Sequence, residues 1–119
     1  MGKLMNDVFE TIEYKGVEYR LVFNLNVIEI LQDKYGTVQN WIDTINAIEN
    51  EGDAKAVKFG FEAMLNEGID MMNEDNGTDI KPLTLKQIGR ILTDVGLTIA
   101  MQKMDKLLSD SNQTEEKNA

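Results

Sequence analysis

The chain has no cysteine and no histidine among its 119 residues. Without these residue types it cannot contain a thiol nucleophile, a Ser–His or Cys–His catalytic pair, a disulfide, or a zinc site built from cysteine and histidine. The glycines are scattered and match neither a phosphate-binding loop nor a dinucleotide fingerprint. Most carboxylates fall on the polar faces of predicted helices, where they are ordinary solvated groups. The sequence therefore predicts a protein that is not an enzyme and holds no cofactor or metal.

Positive charge is also scarce. Lysine and arginine together number 12 against 21 aspartates and glutamates, which gives a formal net charge of -9. Acidity of this size argues against binding to the phosphates of nucleic acid. No apolar run approaches the length of a membrane span, and the first ten residues lack the apolar core of a signal peptide. We therefore expect a soluble cytoplasmic protein that binds neither nucleic acid nor membrane.

A β-hairpin is predicted near the N-terminus. Residues Val8–Tyr14 and Val17–Phe23 alternate in polarity on either side of Lys15 and Gly16, and two residues form the commonest hairpin loop. This register makes one side of the ribbon apolar. Because an isolated two-stranded ribbon is marginal in water, we expect it to lie on helices of its own chain or to pair with another copy.

About four helices are predicted after the hairpin. The first begins at a cap supplied by Asn24 or Asn26, and Gly36 separates it from the second. The third runs over about 54–73, and the last over about 84–108. Their apolar residues recur at helical spacing, so the helices are expected to pack around one small core.

The predicted fold class is mainly α (α+β), with an N-terminal β-hairpin followed by about four helices. A chain of this length is one domain by the usual relation between length and domain number, and we assign residues 1–108 to it. Residues 109–119 are polar, lack apolar periodicity and are predicted to form a disordered tail.

The last predicted helix changes its apolar face half-way along. One stripe contains Leu85, Ile88, Leu92, Val95 and Ile99, and a second stripe on the opposite side contains Leu97, Met101, Met104 and Leu108. A helix on a single small core buries only one face, so the second stripe is predicted to bind a partner. Phe59, which points away from the apolar face of the third helix, is a weaker candidate. The alternative is that the hairpin or the third helix covers the second stripe.

Three segments of the chain carry a family resemblance. They are YRLVFNLNVIEILQDKYGTVQNWID (19–43), KFGFEAMLNEGIDMMNED (58–75) and PLTLKQIGRILTDVG (82–96). Together they resemble the small tail assembly chaperones of tailed bacteriophages and prophages of Gram-positive bacteria. None of the three is a catalytic signature, and the similarity lies in the overall pattern.

This resemblance implies a non-enzymatic assembly factor in the cytoplasm of a bacterial host. It implies binding to the tape-measure protein, whose hydrophobic helices it would keep soluble, and help in recruiting tail-tube subunits. Many such chaperones also exist as a longer frameshifted form, and this chain looks like the short form. The resemblance supplies no partner-binding residues, so those named above rest on periodicity alone. The alternative function is an acidic regulatory or inhibitor module that binds a host or phage protein, and self-association is left open.

Overall fold

The computed structural model describes residues 9–46 and 53–118, with side chains described as far as residue 110. The described residues form a two-stranded antiparallel sheet and five helices. These elements are β1 (Glu10–Tyr14), β2 (Val17–Leu21), α1 (Leu25–Tyr35), α2 (Val38–Asn46), α3 (Ala54–Asn76), α4 (Leu85–Val95) and α5 (Leu97–Asn118). The prediction of a mainly α fold with an N-terminal hairpin is confirmed.

The hairpin has the predicted turn and register. Tyr14 lies opposite Val17, and the two residues between them have positive φ angles of 51° at Lys15 and 82° at Gly16. Two successive positive φ angles are those of a type I′ turn, whose twist matches that of the paired strands. Val8, the predicted first residue of the ribbon, lies outside the described residues.

The helix boundaries follow local sequence signals. Asn24, and not Asn26, caps α1 by accepting a hydrogen bond from the backbone N–H of Val27 at 3.2 Å. Asp53 caps α3 in the same way. This helix continues past the predicted end at residue 73 to Asn76, because the first residue able to stop it in a left-handed conformation is Gly77.

Helix α3 is central and contacts β2, α1, α2 and α4. The strand β2 lies so close to it that a Cβ added at Gly68 would overlap the backbone carbonyl of Arg20. The backbone N–H of Val22 also donates to the carbonyl of Met64 at 3.3 Å. The hairpin therefore packs on helices of its own chain, one of the two arrangements that the sequence left open.

Trp41 closes a second contact with α3. Its side chain is fully buried, and its indole N–H donates to the carbonyl of Ala56 at 3.0 Å. The ring lies against Gly60, where a Cβ would overlap it. The single tryptophan is thus a core anchor whose polar atom is paired inside the core.

Two asparagines on α3 hold the segment that returns from α3 to α4. Asn66 accepts from the backbone N–H of Leu83 at 2.7 Å and donates to its carbonyl at 3.0 Å. Asn73, two helical turns further on, makes the same pair of bonds with Ile80, both at 3.0 Å. The two side chains therefore satisfy backbone groups in a segment that has no helix or strand partner.

The last predicted helix is two helices, and this part of the prediction is wrong. Gly96 has φ 99° and ψ 127°, a conformation that side-chain-bearing residues rarely adopt, and it separates α4 from α5. The change of apolar face near this residue was the sequence signal for the break. Helix α5 runs to Asn118 and does not end near residue 108, because the polar residues 109–118 contain no glycine or proline to stop it.

Candidate partner-binding surface

The structure separates the residues that were predicted to form one binding stripe. Leu97 is 43% exposed, whereas Met104 is 1% exposed and belongs to the core. Met101 and Leu108 are half-buried and pack against that core. The prediction of an open face that includes Met104 is therefore wrong, and of the four residues only Leu97 is largely accessible.

The buried face of α5 shares only Met104 with the predicted stripe. Its fully buried residues are Ala100, Met104 and Leu107, which recur at helical spacing. The prediction overlooked Ala100, a small residue that allows α5 to approach the core closely. As a result Met104 points inward, and Met101 and Leu108 lie at the edge of the buried face.

Phe59 is engaged within the molecule. It is half-buried, its ring meets the edge of Tyr35 with centroids 5.8 Å apart, and the ammonium of Lys34 lies 5.1 Å from its centroid. Burial at this contact raises the pKa of Tyr35, and the negative charge of Asp53 raises it further. These contacts join α1 to α3, which gives Phe59 a structural role at their interface.

Three large apolar side chains on α4 and α5 are exposed. Leu97 and Ile99 are 43% and 48% exposed at the start of α5, and Leu85 is 45% exposed at the start of α4. The sequence placed Leu85 and Ile99 on the core-facing stripe of one long helix. Leu85 is exposed because it is the first residue of α4. Ile99 is exposed because it follows the helix break at Gly96, where the core-facing stripe ends.

A groove runs between α3 and α4 and ends at Leu97. Its volume is about 470 Å³, and its described lining is mainly apolar. The residues that line it are Ala54, Val57, Lys58, Gly89, Leu92, Thr93 and Leu97. The groove exists because Gly89 presents no side chain to α3. Of the predicted binding residues, Leu97 alone is among those that line it.

The described residues show little that resembles a catalytic or metal centre. None of their polar or charged side chains is buried, and their His, Cys, Asp and Glu residues form no cluster of three that could hold a metal ion. Within the described part of the chain, no helix is both long and apolar enough to cross a membrane. The α3–α4 groove and the exposed Leu97 and Ile99 are apolar features of the described surface.

Comparison with known proteins finds no family model, curated protein or solved structure that matches this chain. The resemblance to tail assembly chaperones accordingly stays a prediction. The segments that carry the resemblance do meet in the fold. Asn24 and Asn26 donate to one carboxylate oxygen of Glu67 at 2.8 and 3.0 Å, and Asn66 binds Leu83. These contacts hold the domain together. The residues that carry the resemblance therefore have structural roles, and they do not identify a partner.

Proposed function

We propose that this chain is a tail assembly chaperone, the short form, of a tailed bacteriophage or prophage. In this role it binds the tape-measure protein in the bacterial cytoplasm and helps to recruit tail-tube subunits around it. The observation that supports the proposal is the open apolar groove between α3 and α4, whose lining includes the exposed Leu97. The sequence resemblance supplies the identity of the client.

Helix-in-groove binding is the physical mechanism that suits this surface. A client helix that lays its apolar face between α3 and α4 removes apolar area from water on both partners, at about 25 cal/mol per Å². Association and side-chain ordering oppose this gain. The net charge of -9 keeps the loaded complex soluble, because similarly charged complexes repel one another.

Co-expression with the tape-measure protein tests the proposal. The tape-measure protein should stay in the soluble fraction when this chain is present and precipitate when it is absent. Precipitation to the same extent in both cases would contradict the proposed function.

Two variants localise the effect to the groove. Leu97→Glu places a charge at its end and should reduce the soluble tape-measure fraction. Leu25→Glu is the matched control, because Leu25 is 79% exposed and does not line the groove. Both variants should retain the helical circular dichroism of the parent. Equal effects of the two substitutions would show that the α3–α4 groove is not the client site.

Recruitment of tail-tube protein is tested on the loaded complex. Purified tail-tube protein should co-elute with the complex of this chain and the tape-measure protein in size-exclusion chromatography. Elution of the tail-tube protein at its own volume, separate from the complex, would remove recruitment from the proposal.

A further inference from the structure

A second, basic depression adjoins the apolar groove. It has a volume of about 760 Å³ and shares Lys58, Gly89 and Thr93 with the apolar groove. The cations that line it come from three elements. They are Lys15 in the hairpin turn, Lys58 on α3, and Lys86 and Arg90 on α4. We call these four residues the basic rim.

The charge of this depression is opposite to that of the chain. Among the described residues, four lysines and arginines line it, but only one acidic residue does, namely Asp94. Its lining therefore carries a formal charge of +3 in a protein of net charge -9. Lysines scattered over an acidic protein would not be expected to gather in this way.

The basic rim is not neutralised by ion pairs. Among the described residues, the cations that pair with carboxylates are Arg20, Lys103 and Lys106. Lys86 and Arg90 stand four residues apart on the exposed face of α4, where like charges repel. Among the described lining residues only Asp94 is acidic, so a net positive charge remains that an acidic partner would neutralise.

We propose that the apolar groove and the basic rim form one docking site for an amphipathic helix that carries acidic side chains along one edge of its apolar stripe. The apolar stripe would contact Leu97 and the apolar lining beside it, and the acidic edge would meet Lys86 and Arg90. Lys58 lines both surfaces, and the end of its side chain lies over Gly89. This inference rests on the proposed function in that it names the chemistry of the client segment.

Two synthetic helices test the inference on the full-length protein. Both are about 20 residues long and share one leucine stripe, but one carries glutamates and the other lysines along the stripe's edge. Fluorescence anisotropy of the labelled helices gives their dissociation constants. We expect the glutamate helix to bind at least about tenfold more tightly, and the difference to shrink between about 0.05 and 0.5 M salt. Equal affinities would overturn the proposal.

Charge-reversal variants locate the preference. Lys86→Glu with Arg90→Glu should weaken binding of the glutamate helix about tenfold and strengthen binding of the lysine helix. The control is Lys34→Glu with Lys81→Glu, which changes the net charge equally at two exposed lysines that do not line the depression. The control should leave the ratio of affinities unchanged. A change of the same size in the control would assign the preference to net charge and overturn the proposal.

Other occupants give different results. If light scattering shows a dimer that the Lys86→Glu, Arg90→Glu variant dissociates, and neither helix binds, the surface joins two copies and the proposal is wrong. Binding of a labelled DNA duplex in place of the glutamate helix would likewise overturn it. Failure here is distinguishable from failure of the proposed function. A tape-measure protein kept soluble equally well by the parent and the charge-reversed variant contradicts only the acidic-helix proposal.

Discussion

Glycines at the two sides of α3 differ in what fills the space beside them: Gly60 and Gly68 lie on α3 itself, and Gly89 lies on the facing helix α4. On the side that faces the hairpin and α2, Gly68 lies against the β2 backbone and Gly60 against the ring of Trp41, so the space that each glycine creates is filled by its own chain. On the side that faces α4, the corresponding space at Gly89 is crossed only by the flexible stem of Lys58. The first side is closed, and the second is a groove.

The two sides therefore differ in how much of their surface the chain itself covers. The closed side contains contacts that cannot be loosened without moving backbone, which suits a part of the molecule that sets the fold. The open side exposes apolar area beside the unpaired basic rim. Apolar surface that stays in water forgoes the free energy of burial, and a binding partner that covered this surface would gain it.

The largest expected change in stability comes from a substitution on the closed side of α3. Gly68→Ala should lower the free energy of unfolding by about 3 kcal/mol, because the added methyl group overlaps the Arg20 carbonyl and no side-chain rotation relieves that overlap. Gly89→Ala is the matched control on the open side. Its methyl group would lie 3.4 Å from the Lys58 stem, and the higher helix propensity of alanine should raise stability by up to about 1 kcal/mol. Urea denaturation measures both, and similar stability changes in the two variants would show that α3 is not packed differently on its two sides.

The next effect concerns residues 77–84, the segment that connects α3 to α4. Asn66→Ala should cost about 2 kcal/mol, because it leaves the backbone N–H and carbonyl of the buried Leu83 without their partners. Asn73→Ala should cost about half as much, since Ile80 is only half-buried and water can replace the lost bonds. Thermal unfolding of the two variants makes the comparison. A larger loss from Asn73→Ala would show that the end of α3, and not its middle, positions α4.

Local signals made much of the closed side predictable. The turn at Lys15 and Gly16 and the cap at Asn24 each depend on a few neighbouring residues, and the structure has them as expected. The break at Gly96 was harder to predict, because glycine inside a helix is tolerated at a modest energetic cost. The change of apolar face at that residue was visible in the sequence, but it was interpreted as a second binding face.

The open side could not be predicted from periodicity. Its basic rim gathers residues from the hairpin turn, α3 and α4, which only the tertiary fold brings together. The net charge of -9 concealed this local excess of positive charge. The burial of Met104 was not predicted, because helical spacing alone does not distinguish a residue at the centre of a buried face from one at its edge.

A smaller effect tests the boundary of the open side. Gly96→Ala should cost about 1 to 2 kcal/mol, because a side chain strains the backbone at φ 99° and ψ 127°. Gly77→Asn is the control, since Gly77 lies in the left-handed region that asparagine tolerates, and its cost should be a few tenths of a kcal/mol. Chemical denaturation distinguishes the two. Equal stabilities of Gly96→Ala and the parent would mean that α4 and α5 can join without this turn.

The smallest expected effect is the pH dependence of stability that comes from the titration of Tyr35 at high pH. Burial of Tyr35 beside Phe59, and secondarily the charge of Asp53, raise the pKa of Tyr35 above 10.0, its ordinary value. Because the pKa is higher in the folded state than in the unfolded state, the contribution to stability is complete below pH 10 and is lost as the pH rises through the folded-state pKa. The difference in tyrosinate absorbance between the parent and Tyr35→Phe gives the titration. Asp53→Asn retains a capping oxygen and should lower this pKa only part of the way, because burial is the larger cause. A return to the ordinary value in Asp53→Asn would show instead that charge dominates and that this edge of α3 is open to water.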